Sequence, residues 1–432
     1  MAEPHVITLG CRLNAFESEI IREQGRVAGL TNAVIINTCA VTAEAERQAR
    51  QTIRRERRRR PDAKLIVTGC AAQLDPKGFG AMAEVDQVLG NIEKLNAASF
   101  LDADADRSIH VTDIMQVRDV AAHLIHGFDG RARAFVEVQQ GCDHRCTFCI
   151  IPFARGPNRG VGIGRIVDQV RLLVADGFKE VVLTGVDICS YGADLPGQPK
   201  LGDMVTKLLD QVPELPRLRL SSLDPAAMDD ALFDVLAKEP RLMPHLHLSI
   251  QALDDMVLKR MKRRHLVSDV FDVVERARKA RADVVFGADL IAGFPTETDA
   301  MATATLNAVK DLGLTHLHVF PYSERPGTPA DDMPSVPVKT RKFRAAELRA
   351  AGDAALTSFM EARVGDTASV LIEQDSRGLS EHYAPVRVDG DARSGELIDV
   401  RLTGAKDGAL IGVPLPLATT RVVTAAAVGS AA

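Results

Sequence analysis

Gly141-Cys142-Asp143-His144-Arg145-Cys146-Thr147-Phe148-Cys149 sets three cysteines at C-x3-C-x2-C spacing just after an apolar run, Phe135-Val136-Glu137-Val138. The run reads as a strand and the cysteines as the loop at its end. Three thiolates so close in sequence can ligate three corners of a cubane iron–sulfur cluster. No fourth protein ligand follows nearby, which leaves one iron open for a small molecule. Zinc is the competing reading of clustered cysteines. It needs a fourth ligand, and His144 stands too close to both neighbouring cysteines for an easy tetrahedron.

Strands and helices alternate on both sides of this loop. From Phe135 to Phe320 the pattern predicts six strands, at 135–139, 181–185, 217–222, 245–250, 284–290 and 316–320, with helices between them such as 166–176 and 227–238. Six such units imply a curved parallel sheet, a partial barrel whose site lies at the C-terminal mouth. The cysteine loop follows the first strand and belongs at that mouth.

Residues 4–95 repeat a strand–loop–helix unit three times. His5-Val6-Ile7-Thr8-Leu9 runs into Gly10-Cys11, Ala33-Val34-Ile35-Ile36 into Asn37-Thr38-Cys39, and Lys64-Leu65-Ile66-Val67 into Thr68-Gly69-Cys70. Continuous apolar strands between helices predict a parallel sheet, closed by Gln87-Val88-Leu89. The three cysteines recur about every 30 residues, one βαβ unit. Each falls in the first turn beyond a strand's carboxyl end, the edge where open parallel sheets bind ligands. They are therefore expected to converge, with helix N-termini favouring their thiolates. Three unrelated buried cysteines would explain the shared position poorly.

The remaining composition narrows the class. The 432 residues are 46% apolar and 26% charged and lack Trp, a globular profile with length for more than one core. The start shows no basic region followed by an apolar run, and no run approaches the roughly 18 residues that span a bilayer, so a cytoplasmic location is expected. There disulfides are rare. The seven cysteines divide into two sets of three plus Cys189, which is expected to be a small buried thiol. A net charge of −5 hides Arg54-Arg55-Glu56-Arg57-Arg58-Arg59-Arg60, which reads equally well as a phosphate-binding tract or a solvated helix end.

Residues 96–133 read as a polar linker. Beyond a helix at about 339–362, short alternating strands at 364–372, 383–388, 397–402 and 408–412 predict a small antiparallel β-barrel.

The order of these motifs resembles the radical S-adenosylmethionine (SAM) methylthiotransferases over the whole chain. The resemblance is carried by Gly10-Cys11 with Asn14, Asn37-Thr38-Cys39, Thr68-Gly69-Cys70, and the loop from Gly141 to Cys149 with Ile151-Pro152 and Arg155-Gly156. Thr184-Gly185, Arg219-Leu220-Ser221-Ser222, Gly293-Phe294-Pro295 and Phe320-Pro321-Tyr322-Ser323 continue it. Within the family, the stretches from Thr8 to Asn14 and from His318 to Ser323 look most like the branch acting on threonylcarbamoyladenosine in tRNA. Sister branches modify isopentenyladenosine in tRNA or an aspartate of a ribosomal protein.

The resemblance implies an α/β fold in three parts: an N-terminal parallel-sheet domain (1–110) binding an auxiliary cluster, a partial (β/α)6 radical SAM barrel (128–358), and a small C-terminal antiparallel RNA-binding barrel, TRAM (361–425). It implies two [4Fe-4S] clusters, one on Cys142, Cys146 and Cys149 with SAM, the other on Cys11, Cys39 and Cys70 carrying the sulfur to be delivered. Phe148, Thr184, Gly185, Gln251, Asp289 and Gly293 are the expected cofactor contacts, although a helix cap or loop hydrogen bond suits Asp289 nearly as well. His245, His247, His316 and His318 alternate along two strands and read as satisfied lumen histidines before they read as metal ligands. The expected partners are the tRNA anticodon stem-loop, a reducing donor such as a flavodoxin or ferredoxin, and a sulfur source, with no membrane and a monomeric enzyme. The alternative from another class is a non-catalytic iron–sulfur RNA-binding protein.

Overall fold

The computed structural model describes residues 3–101, 108–120, 123–128 and 130–416. Residues 417–425 of the expected C-terminal barrel lie outside them. Among the described residues no helix is long and apolar enough to cross a membrane.

The N-terminal unit runs β1 (His5–Thr8), α1 (Arg12–Val27), β2 (Ala33–Thr38), α2 (Ala43–Arg59), β3 (Lys64–Gly69), α3 (Cys70–Leu74), α4 (Pro76–Gly80), β4 (Gln87–Leu89), α5 (Ala98–Leu101) and β5 (Ser108–His110). All five strands are parallel and lie in sequence order. Alternate strand residues pack on opposite faces: Ile35 and Ile66 against Ile21 of α1, Val34, Ile36 and Leu65 against Ile53 of α2. The linker expectation for 96–133 is corrected here. Ser108–His110 pairs with β4 as the edge strand, so Gln87–Leu89 does not close the sheet.

The arginine tract ends α2, whose N-cap Thr42 accepts from the Ala45 N–H at 3.1 Å and whose first turn carries Glu44 and Glu46. Much of the tract is tied down. Arg57 binds the Glu84, Pro61 and Ala63 carbonyls and Asp86, while Arg55 and Arg59 flank buried Glu56.

The central unit begins with β6 (Ala134–Glu137), β7 (Gln139–Gln140), α6 (Ile151–Arg155), β8 (Arg159–Gly160) and α7 (Ile163–Ala175). It continues through β9 (Glu180–Thr184), α8 (Leu201–Gln211), β10 (Arg217–Leu220), β11 (Ser222–Leu223), α9 (Asp230–Lys238), β12 (His245–Gln251), α10 (Asp255–Arg260), α11 (Val267–Ala280), β13 (Val285–Ala292), α12 (Asp299–Leu312), β14 (Leu314–Pro321) and the long α13 (Val338–Ala362). The six expected strands are all present. They form an open parallel sheet that bends between β10 and β11, one part ordered β10-β9-β6 and the other β11-β12-β13-β14. Leu246, Leu248 and Ile250 of β12 and Phe286, Ala288 and Leu290 of β13 face the helices and are buried in the largest core. Their neighbours in sequence, His245, His247 and Asp289, face inward.

The C-terminal unit is a closed barrel of β15 (Thr367–Gln374), β16 (Arg377–Ser380), β17 (Pro385–Val388), β18 (Leu397–Lys406) and β19 (Ala409–Pro414). It differs from the expectation in two ways. A short strand, β16, was not foreseen, and β17 pairs with β19 in parallel, so the barrel is not wholly antiparallel.

Candidate functional site

The N-terminal cysteines converge. Cys11 caps α1, Cys39 directly follows β2, and Cys70 opens α3 after β3. Gly10 and Gly69 precede two of them at φ +93°, where a side chain is strained. A Cβ on Gly10 would stand 2.7 Å from the Cys39 sulfur, and one on Gly69 2.4 Å from the Thr38 oxygen. The polar residues beside the cysteines stitch the strand ends together. Asn14 Nδ2 donates to the Leu9 and Thr38 carbonyls at 2.7 and 3.0 Å, Asn37 Nδ2 to the Asn14 carbonyl at 3.1 Å, and Thr38 Oγ1 to the Thr68 carbonyl at 2.6 Å.

Arg155 joins this site to the second one. It ends α6, just beyond the Cys142–Cys149 loop, yet its buried guanidinium reaches the N-terminal unit. Nε donates to the Cys70 sulfur at 3.1 Å, and Nη2 donates to Asn14 Oδ1 at 2.5 Å and Glu17 Oε2 at 2.9 Å. Glu17 is also paired with the fully buried Lys94 at 2.6 Å. Burial would raise the Glu17 carboxyl, but Arg155 and Lys94 outweigh it and hold it down at about 2. Gln140 Nε2 donates to both Glu17 and Glu137. Burial and the Glu17 charge push Glu137 up to about 8.

The Cys142 loop is held from four sides. Gly141 has φ +69°, and a Cβ there would stand 1.9 Å from the Pro157 oxygen. The Cys142 N–H donates to Gly156 O, the Thr147 N–H to Met261 O, and Thr147 O accepts from the Ala330 N–H. Gln139 donates to Gly141 O at 2.6 Å, while its oxygen accepts from the Val186 and Asp187 N–H groups at 2.9 and 2.8 Å. It thereby fixes the turn after Thr184-Gly185. Arg263 approaches the Cys146 sulfur at 3.6 Å and donates to Ser249 O. His144 pairs with Asp187 at 2.9 Å.

These donors suit iron–sulfur clusters. Within each triad the thiols lie near enough to act on one another's charge. Cys142 also offers its sulfur within 4.8 Å of ligand atoms of His144 and Asp187, a set that one small ion could use. Two all-thiol triads match the cysteine ligation of iron–sulfur clusters. Burial pushes up the metal-free thiols of Cys11, Cys39, Cys142 and Cys149, Cys39 and Cys149 to about 11 and Cys142 to about 12. Thiolate formation would therefore accompany metal binding.

The other expected contacts divide. Phe148 packs edge-on against buried Phe294 with ring centroids 6.5 Å apart, and Gly293 next to it has φ +71° and donates to Glu297. Gln251 ends β12 at φ +71°. Thr184 is buried behind the loop, and a Cβ on Gly185 would stand 2.7 Å from Gln139 O. Asp289 is not a helix cap. It accepts from His247 at 3.0 Å, His318 at 3.2 Å and Ser222 at 3.1 Å, and the histidine bonds hold its carboxyl well below the usual range against the effect of burial. The four histidines meet inside the sheet, His245 5.0 Å from His316 and His247 4.5 Å from His318, ring to ring. Cys189 packs against the core as a small thiol.

Two further residues, Tyr383 and Arg12, meet beside these histidines. Tyr383 of the C-terminal barrel stacks on His245 at 5.0 Å and meets Arg133 and Arg219 of the central unit and Arg12 of the N-terminal unit. Arg12, adjacent to Cys11, donates to the Tyr383 hydroxyl at 3.2 Å.

Residues 136–309 match the radical SAM superfamily, and residues 3–90 match a family described as uncharacterized protein family UPF0004. The chain is 51% identical to the threonylcarbamoyladenosine tRNA methylthiotransferase MtaB of Rickettsia prowazekii, over 93% of this chain and 95% of that protein. It is 34% identical to the Aquifex aeolicus protein of the same name, over 91% and 98%. It is 33% identical to a tRNA-2-methylthio-N(6)-dimethylallyladenosine synthase of Novosphingobium aromaticivorans, over 94% and 96%. A radical SAM methyltransferase structure, TsrM of Kitasatospora setae, shares the fold over 77% of each chain, with a TM-score of 0.57 at 15% identity.

Proposed function

Because the chain belongs to the radical SAM methylthiotransferase family, we propose that it is a tRNA methylthiotransferase acting on carbon two of N6-threonylcarbamoyladenosine beside the anticodon. The observation that carries the reading is the pair of cysteine triads joined by one buried arginine, Arg155. A single triad would serve many radical SAM reactions; a second one beside it suits the delivery of sulfur.

Carbon two of an adenine bears an unactivated C–H bond that no side-chain acid or base can break. Bound clusters with SAM supply the primary carbon radical and the sulfur that this substitution needs. The chain's own residues hold and orient. Cys142, Cys146 and Cys149 would hold the SAM-binding cluster, and Cys11, Cys39 and Cys70 the auxiliary one. Gln139 fixes the loop against the Gly185 turn, and Phe148 with Phe294 offers an apolar wall beside the last cysteine of the loop. Gln251, Asp289, Thr184 and Gly293 border the same mouth. Residues 1–110, 128–358 and 361–425 divide the work as auxiliary-cluster, radical and RNA-binding parts. The enzyme works as a monomer in the cytoplasm, drawing electrons from a flavodoxin- or ferredoxin-like donor and sulfur from a separate source.

Nucleoside mass spectrometry of tRNA from a deletion strain tests the substrate. Loss of the methylthio form of threonylcarbamoyladenosine is expected, and its persistence would refute the assignment. Anaerobically rebuilt protein should hold about eight irons, and about four after Cys11, Cys39 and Cys70 become Ala. Four in the parent protein would remove the second cluster.

A further inference from the structure

Behind Cys11 the inward faces of β12 and β14 and one face of α13 enclose a cavity of about 320 Å³, within the size range of small-molecule sites. Its walls carry four imidazoles, His245, His247, His316 and His318, and two guanidinium groups, Arg12 and Arg349, against one carboxylate, the exposed Asp353 of α13. Most of these groups are committed. His247 and His318 share Asp289, and His316 donates from Nε2 to the His382 carbonyl at 3.1 Å. Arg349 donates to Val319 O at 2.7 Å.

Buried His245 Nε2 has no hydrogen-bond partner, and the uncommitted cation of the wall is Arg12. Its side chain is partly buried, its one hydrogen-bond partner is the neutral Tyr383 hydroxyl, and among the described residues no carboxylate lies within ion-pair distance of it. An Arg half-removed from water without a counter-ion is a standing site for a ligand carboxylate, which its fork can bind bidentately.

The position fits the substrate. Carbon two and the N6 substituent lie on the same edge of an adenine. A base presenting carbon two to sulfur held near Cys11 therefore presents its substituent to the residue next to Cys11. The threonylcarbamoyl group ends in a carboxylate and has about ten non-hydrogen atoms, which the cavity can house. A dimethylallyl group is a hydrocarbon and offers an arginine nothing. Burial keeps His245 and His316 uncharged at neutral pH, so they suit the urea and hydroxyl of the same substituent.

We propose that Arg12 binds the threonyl carboxylate of the substrate base and thereby selects threonylcarbamoyladenosine over N6-alkylated adenosines. The inference rests on the substrate reading above. It is tested with the two-cluster holoenzyme and three synthetic anticodon stem-loop RNAs that differ only at the target base: threonylcarbamoyladenosine, its threonyl methyl ester, and dimethylallyladenosine. Fluorescence anisotropy reads binding, and nucleoside mass spectrometry reads conversion.

The parent protein should bind the acid at least about tenfold more tightly than the ester, the scale of a lost charge-assisted hydrogen bond. Arg12→Gln should abolish that difference while leaving dimethylallyl RNA binding as it was, and Arg12→Lys should restore part of it. The ester tests the contact without altering the protein, so a folding defect in the variant cannot hide the answer. Equal affinity of the parent for acid and ester overturns the inference, as does an equal loss on all three RNAs in Arg12→Gln. If the parent converts the dimethylallyl RNA and not the acid, the substrate reading itself falls, and that result is distinct from both.

Discussion

Arg155, Glu17 and Lys94 form a buried cluster of two cations and one anion, with Cys70 and Asn14 as further acceptors. Removing the guanidinium leaves Glu17 paired with Lys94 but takes the donor from Asn14 Oδ1, the Cys70 sulfur and one side of Glu17, and buried acceptors left unmet cost about 1–3 kcal/mol. Arg155→Gln should lower the unfolding free energy read from denaturant titration by that order. Arg155→Lys should not restore it, because one ammonium cannot span Cys70, Asn14 and both Glu17 oxygens. Glu17→Gln combined with Arg155→Gln should cost less than the sum of the two, a coupling that a double-mutant cycle measures. None of this was legible beforehand. Glu17 and Arg155 are 138 residues apart, and local patterning carries no signal for such a contact. The cysteines were legible because metal chemistry imposes spacing on the chain itself.

At the level of elements, the strand-to-loop turns decide where sulfur stands. Gly10→Ala forces a side chain at φ +93° against the Cys39 sulfur, and Gly141→Ala forces one at φ +69° into the Pro157 carbonyl. Each should spare the opposite triad. Reconstituted iron should fall to about half in either variant, with Gly10→Ala retaining SAM cleavage to 5′-deoxyadenosine and Gly141→Ala losing it. The long strands and their loops were readable because buried parallel strands are continuous apolar runs. The short ones were not. Ser108–His110 is three residues long in a polar stretch, and β16 contains Gly378, packed against the Leu371 carbonyl where a Cβ would come within 2.0 Å. The parallel closure of β17 on β19 joins strands across an intervening one, an arrangement that follows from barrel closure rather than from either strand's pattern.

Across the whole molecule, the histidines inside the sheet tie stability to pH. His316 is held neutral, chiefly by burial, down to about pH 4, and burial also holds His245 well below its ordinary value, whereas an unfolded chain protonates both near 6.5. Between those values the unfolded state binds more protons. Stability is therefore full above about pH 6.5 and is lost as pH falls toward 4, by about 3 kcal/mol from His316 alone. Urea midpoints across that range should show the slope, and His316→Gln should flatten it. The histidines' shared faces were visible in the sequence, but their lid was not, since Tyr383 lies 371 residues from Arg12. Arg219 donates to the Ser380 and Glu381 carbonyls and Arg217 to Ser369, so the C-terminal barrel is bonded to the floor of the sheet as well as stacked on it. That bears on how such proteins can be shortened or recombined over evolution. A terminal barrel would ordinarily be the most dispensable and exchangeable piece of a gene. Here a lineage that discarded it would also uncover Glu180 with Arg133, Arg217 and Arg219 and open the chamber from below. The barrel can be replaced only by one that brings its own tyrosine to the same place.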